Sequence, residues 1–110
     1  MTFEIRYSRL AHSQLKGIRV FDRTAILNQI DSVLSASPTL TSKARVKRLR
    51  QPAPTDYRLK VGDFRVFYNV TDDDTVVQVI QVLTKSEALL YCQEQNDDSP
   101  DGDESDDTNR

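Results

Sequence analysis

Residues 2–7 alternate Phe3, Ile5 and Tyr7 with Thr2, Glu4 and Arg6, the period-two pattern of a strand that buries one face. Ser8 follows, a residue whose hydroxyl can accept from an orphan amide of a first helical turn. Ala11, Leu15 and Ile18 then recur at helical spacing and predict a short helix closing near Gly17. Asp22 reads as the cap of a second helix, in which Ile26, Ile30, Val33 and Leu34 form one apolar stripe and which Pro38 stops. The connection between the two is short, which predicts a helical hairpin lying on the sheet. In residues 43–50 five of eight positions are basic, Val46 and Leu49 stand three apart, and Pro52 and Pro54 follow; this reads as a helical turn or an irregular edge. Alternating runs at 57–61 and 64–70 flank Gly62-Asp63, a two-residue hairpin loop whose glycine tolerates positive φ. A third run, 76–83, allows two registers: Val76, Ile80 and Val82 inward takes Gln78 inside, whereas Val77, Val79 and Leu83 inward takes Gln81. Thr84-Lys85-Ser86-Glu87 fits a capping box opening a last helix with Ala88, Leu89, Tyr91 and Cys92. The fold class is α+β: a small, mostly antiparallel mixed sheet of about four strands, with an N-terminal helical hairpin packed on one face and a C-terminal helix, in the order β-α-α-β-β-β-α.

Charge divides the chain in two. The formal net charge of all 110 residues is −2, yet residues 93–110 hold eight acids, one base and no apolar residue, a net −7. Residues 1–92 are left with +5 and an apolar share of about 45%, an ordinary globular value. One folded domain is expected over 1–92 and an acidic, disordered tail over 93–110. Cys92 is the only cysteine and His12 the only histidine, so no intrachain disulfide and no zinc set can form, and neither metal nor cofactor is expected. A glycine-rich phosphate loop, a Ser-His-Asp triad, a signal-peptide core and a bilayer-length apolar run are all missing, and the expected compartment is the cytoplasm, with no membrane partner.

The hairpin loop fixes cross-strand partners. With Gly62-Asp63 as the turn, Tyr57, Leu59, Val61, Phe64, Val66 and Tyr68 share one face, which is core, while Arg58, Lys60, Arg65 and Phe67 share the other. Lys60 stands opposite Arg65, and like charges facing each other favour an anion between them. Two readings stay open: ordinary solvent-facing strand residues, or a phosphate-binding face. The basic segment (Lys43, Arg45, Lys47, Arg48, Arg50), together with Phe67 as a stacking ring, extends the second reading to single-stranded RNA. Tyr91, on the apolar side of the last helix, is open to both a core and a site role.

The string Asp56-Tyr-Arg-Leu-Lys-Val-Gly-Asp-Phe-Arg-Val-Phe-Tyr-Asn-Val70, preceded by Lys47-Arg-Leu-Arg50 and followed by a Val/Ile-rich strand leading to Lys85 and Tyr91, resembles the RelE/ParE toxin superfamily over about residues 2–92. The resemblance implies a toxin of a type II toxin–antitoxin system, held in a hetero-oligomer by a cognate antitoxin. RelE-type members cut mRNA on the ribosome without metal, the ribose 2′-OH attacking the adjacent phosphate to give a 2′,3′-cyclic phosphate. Carried over by position, Arg58, Lys60 and Arg65 would bind the scissile phosphate, Lys85 would serve the 5′ leaving oxygen, and Tyr91 would orient the 2′-OH. Two positions depart from the pattern: Lys85 stands where arginine is usual, keeping the charge without the planar fork, and Leu83 stands where glycine is common. The alternative implied is a protein of the same fold that binds its antitoxin or inhibits DNA gyrase without cutting RNA.

Overall fold

Five strands form one sheet in the order β1-β5-β4-β3-β2, with β1 (Glu4–Tyr7), β2 (Val46–Arg48), β3 (Tyr57–Val61), β4 (Phe64–Val70) and β5 (Val76–Thr84). The computed structural model describes residues 2–42 and 45–95; Lys43 and the acidic tail from residue 96 lie outside the described residues. β1 runs parallel to β5 and every other pairing is antiparallel, so the sheet is mixed. Helices α1 (Arg9–Lys16) and α2 (Val20–Gln29) connect β1 to β2, α2 continuing through a wider π-type turn over Ile30–Leu34, and α3 (Lys85–Gln95) follows β5 directly.

Several local rules hold. Ser8 caps α1, its Oγ accepting from the Ala11 amide at 2.9 Å. Thr84 and Glu87 close a reciprocal capping box, the Glu87 amide donating to Thr84 Oγ1 at 3.2 Å and the Thr84 amide to Glu87 Oε1 at 2.9 Å. Gly62 takes φ +56°, and the register Tyr57↔Tyr68 through Val61↔Phe64 is the one the loop predicts. The cap of α2 differs: the helix begins at Val20, with Asp22 in its first turn, paired with Arg19 at 3.3 Å. A carboxylate there still meets the positive end of the helix.

The fifth strand is the main departure. Val46 and Leu49 stand three apart because each enters a different core, not because they share a helix face. Val46 packs with Leu59, Val66, Tyr68, Val77, Val79 and Val82, and with Ala11, Leu15, Ile26 and Ile30 of the helices. Leu49 enters a second cluster with Phe67, Ala88 and Cys92, which α3 closes. Residues i and i+3 of an extended chain point to opposite faces, and this sheet is covered on both.

β5 uses neither expected register throughout. Tyr68 pairs with Val79 but Phe67 with Gln81, so Ile80 is an extra residue that shifts the strand by one. Val77 and Val79 therefore point inward before the bulge and Val82 after it, all buried, while Gln78 stays exposed. The bulge also lies where β1 ends. The unpaired edge of β5 is taken over by α1: the Ser8 amide donates to Val79 O, Ser8 Oγ to Ile80 O, and Gln14 Oε1 accepts from the Val82 amide at 2.7 Å. Helix side chains thus satisfy strand groups that β1 cannot reach.

Candidate functional site

Alternation along three strands gathers the basic residues into two rows on the face opposite the main core. In one row Lys47, Arg58, Phe67 and Gln81 are successive cross-strand partners. In the next, the Lys60 amide donates to Arg45 O at 2.8 Å, Lys60 pairs with Arg65, and Arg65 with Leu83. Neighbouring strands are about 5 Å apart, so Arg45, Lys47, Arg58, Lys60 and Arg65 occupy one small patch. The sequence marks all five as candidates; that β2 is a strand is what brings Arg45 and Lys47 beside the hairpin cations.

Within the patch the side chains differ in access. Arg58 and Arg65 are each only 2% exposed, whereas Lys47 and Lys60 are partly open and Arg45 is exposed. Arg65 folds back on the hairpin, its Nη1 donating to the carbonyl oxygens of Gly62 and Phe64 at 3.0 Å each. That anchors the guanidinium and ties the turn to β4.

Two expected RNA contacts need correction. Phe67 is not an exposed stacking platform: it is fully buried with Leu49, Ala88 and Cys92, and its ring meets Tyr91 edge-on at 5.1 Å and 76°. The cause is α3, whose Ala88, Tyr91 and Cys92 recur at helical spacing and cover the ring. Arg48 faces the other side of the sheet, donating to the Tyr57 hydroxyl at 3.0 Å with its guanidinium 5.4 Å from the ring centroid, because it is one residue out of phase with Lys47. Arg50 lies beyond the end of β2 and is exposed. Of the basic segment, then, Arg45 and Lys47 join the hairpin cations, Arg48 does not, and Lys43 is outside the described residues.

Tyr91 is half-buried, its ring packed on Phe67 in the second cluster. Lys85 is the exposed first residue of α3, its amide donating to Asp63 O at 2.8 Å at the hairpin tip. It lines an open groove of about 880 Å³ between α2, the hairpin and the start of α3, with Arg19, Ile26, Val61, Phe64 and Leu89 also in its walls. The linear pattern carries no signal for this groove, since its walls come from three separate segments.

The model of the ParE toxin of type II toxin–antitoxin systems matches residues 5–89. The chain belongs to the ParE toxin family. As a member of that family it is the toxin of a type II system, and solved structures of RelE and RelBE toxins share its fold. The RelBE2 toxin–antitoxin complex of Mycobacterium tuberculosis aligns at TM-score 0.63 and 22% identity, over 76% of this chain and 99% of that one. The archaeal RelE–RelB complex of Pyrococcus horikoshii aligns at 0.63 and 24%, over 77% and 97%. A free mutant RelE of E. coli aligns at 0.64 and 19%, over 87% and 99%. Among curated proteins none matches the chain in sequence. The two-row cation patch of this ParE-family chain lies on the sheet that these structures share. Among the described residues no helix is long and apolar enough to cross a membrane.

Proposed function

We propose that this ParE-family toxin is an endoribonuclease of ribosome-bound mRNA, with cationic side chains stabilising the charge that develops on the scissile phosphate. The observation that carries this reading is the patch itself, Arg45 and four cations of β2, β3 and β4 on one face, with Tyr91 of α3 packed on Phe67 in the same row. In the reaction the ribose 2′-OH gives its proton to solvent as its oxygen bonds to the adjacent phosphorus, the bond from phosphorus to the 5′ oxygen breaks, and a 2′,3′-cyclic phosphate and a 5′-hydroxyl result. Lys60 and Lys47 offer charge at the open side, Arg58 and Arg65 deeper charge to the phosphoryl oxygens, Tyr91 orients the 2′-OH, and Lys85 supplies the proton to the leaving oxygen. Both guanidinium groups are almost wholly buried, so RNA reaches them only if what covers them shifts; among the described residues α3 packs on Phe67, the cross-strand partner of Arg58. A cognate antitoxin holds the toxin in a hetero-oligomer; the exposed Leu89 in the groove wall, with exposed Val20 and Phe21 on α2 and Leu90 on α3, gives it apolar surface to cover.

A second reading is favoured by two observations: the family model is that of ParE, and the Arg65 guanidinium is already engaged by turn carbonyls. On that reading the toxin acts by binding, as a gyrase inhibitor, and cuts nothing. Cell-free translation with the purified toxin, followed by primer extension on the message, separates them. Cuts at A-site codons that fall about 100-fold in single-turnover rate with Lys85→Ala, the size of a lost proton-transfer group, support the nuclease. Intact message under both the parent and Lys85→Arg, with antitoxin binding retained, leaves the second reading.

A further inference from the structure

On the other side of the sheet from the cation patch, α1 and α2 cover the main core, with Ala11, Leu15, Ile26 and Ile30 facing inward. Between these helices, at the end of β1, lies an open pocket of about 260 Å³ that the proposed activity does not use, walled by Tyr7, His12, Leu15, Lys16, Arg23 and Leu27. Three of the six carry or can take a positive charge and none is acidic. His12 and Lys16 are exposed and stand one turn apart on the same side of α1, where like charges repel; Arg23, half-buried, comes from α2. The end of the helix accounts for one of these charges. Arg23 Nη1 donates to Leu15 O and Lys16 O, both at 3.4 Å, and so answers the orphan carbonyls at the negative end of α1. Lys16 is a second cation at an end already neutralised, and among the described residues it has no ion-pair partner. Nε and Nη2 of Arg23 likewise donate to no group among the described residues. Of the acids between β1 and the turn after α2, Glu4 pairs with Arg6 and Asp22 with Arg19. Asp31 is not in the wall; after burial it is the second cause that pushes the Tyr7 pKa up, which keeps the phenol a neutral donor.

We propose that this pocket binds a phosphate group, held by Lys16, His12 and the unengaged nitrogens of Arg23. A carboxylate brings one charge and two oxygens, which leaves a cation of the wall unanswered, whereas phosphate brings up to two charges and enough oxygens for a guanidinium fork and an ammonium together. The volume has room for about eight waters at ~30 Å³ each, so a phosphate fits with part of the group it esterifies, and Leu15, Leu27 and the Tyr7 ring offer that group an apolar floor. The site lies across the sheet from the patch and rests on none of the proposed nuclease chemistry.

The test titrates the full chain with inorganic phosphate, uridine 5′-monophosphate and uridine at constant low ionic strength, with chloride as the control anion, and follows backbone amide spectra. The amides of Lys16, Gly17 and Arg23 are expected to shift and saturate with phosphate and with the nucleotide, and to stay still with uridine and chloride. Lys16→Gln leaves Arg23 in place at the end of α1, so the helix is expected to keep its far-ultraviolet circular dichroism while phosphate binds about tenfold more weakly, the size of one hydrogen bond to a charged group. Arg23→Lys, which keeps the charge and loses the fork, is expected to weaken it too. Equal affinity for phosphate and nucleotide makes the ligand the free anion; tighter nucleotide binding with an added shift at Leu27 makes it the phosphate of an ester. Shifts that saturate at Lys47, Lys60 and Arg65 instead belong to the patch and overturn the proposal. Pocket shifts that chloride reproduces, or that Lys16→Gln leaves unchanged, overturn it as well.

Discussion

The Tyr68 phenol is buried against the main core and donates to the Pro38 carbonyl oxygen at 2.5 Å. Burial raises its pKa far above the ordinary tyrosine value, neighbouring Tyr57 adds to this and Arg58 opposes it. Because the folded value lies above the unfolded one, near 10, the neutral phenol contributes stability that is complete below about pH 10 and is lost as pH rises beyond it. Burial shifts Tyr7 in the same direction, aided by the charge of Asp31. Urea melts from pH 8 to 11 are expected to show falling stability at the alkaline end. Tyr68→Phe is expected to flatten that fall in part and to cost about 1 kcal/mol at pH 8 for the lost hydrogen bond. The hydrophobic alternation of β4 is enough by itself to place Tyr68 inside; that its hydroxyl meets Pro38, thirty positions away, has no local signal.

At the level of elements, the helix caps and the hairpin are legible in the sequence because each is decided within four residues: Ser8 with Ala11, Thr84 with Glu87, and Gly62 at the turn. β2 and the bulge are not, because each depends on partners distant in sequence. Ser8 joins both kinds, capping α1 and donating to Ile80 O at 2.7 Å. Ser8→Ala is therefore expected to cost about 2 kcal/mol, the upper end for an N-cap, in denaturant melts, while Ser13→Ala on the exposed side of α1 stays within about 0.5 kcal/mol. The bulge predicts a matching contrast on β5. Val82→Ala opens a cavity in the core and is expected to cost about 2 kcal/mol, and Ile80→Ala, at a half-buried position, under about 1 kcal/mol. Equal costs at the two positions would place Ile80 in the core and the bulge elsewhere.

Across the whole molecule, basic residues from separate segments gather on one face of the sheet, and the salt dependence of the proposed RNA binding tests that face. Each phosphate contact removed is expected to reduce the log–log salt slope by about 0.7 for a single strand. Lys47→Ala and Lys60→Ala are expected to show that loss, and Arg48→Ala, turned to Tyr57 on the opposite face, is expected to leave the slope unchanged while lowering stability. Anisotropy titrations at several salt concentrations check this; a slope that falls with Arg48→Ala and not with Lys60→Ala returns the patch to a solvated face. The hairpin register, and with it the shared face of Arg58, Lys60 and Arg65, follows from the linear chain because a two-residue loop leaves one pairing. The same holds for the family motif and the division of charge, which are properties of residue order. Access is another matter. Phe67 looks like an exposed aromatic among cations until α3 packs Ala88, Tyr91 and Cys92 onto it, and Lys47 joins the patch only when β2 pairs with β3. Alternation reveals which residues share a face of a strand; what covers that face depends on contacts between segments far apart in the chain, and period-two spacing is the same for a face that meets water and one that meets a helix.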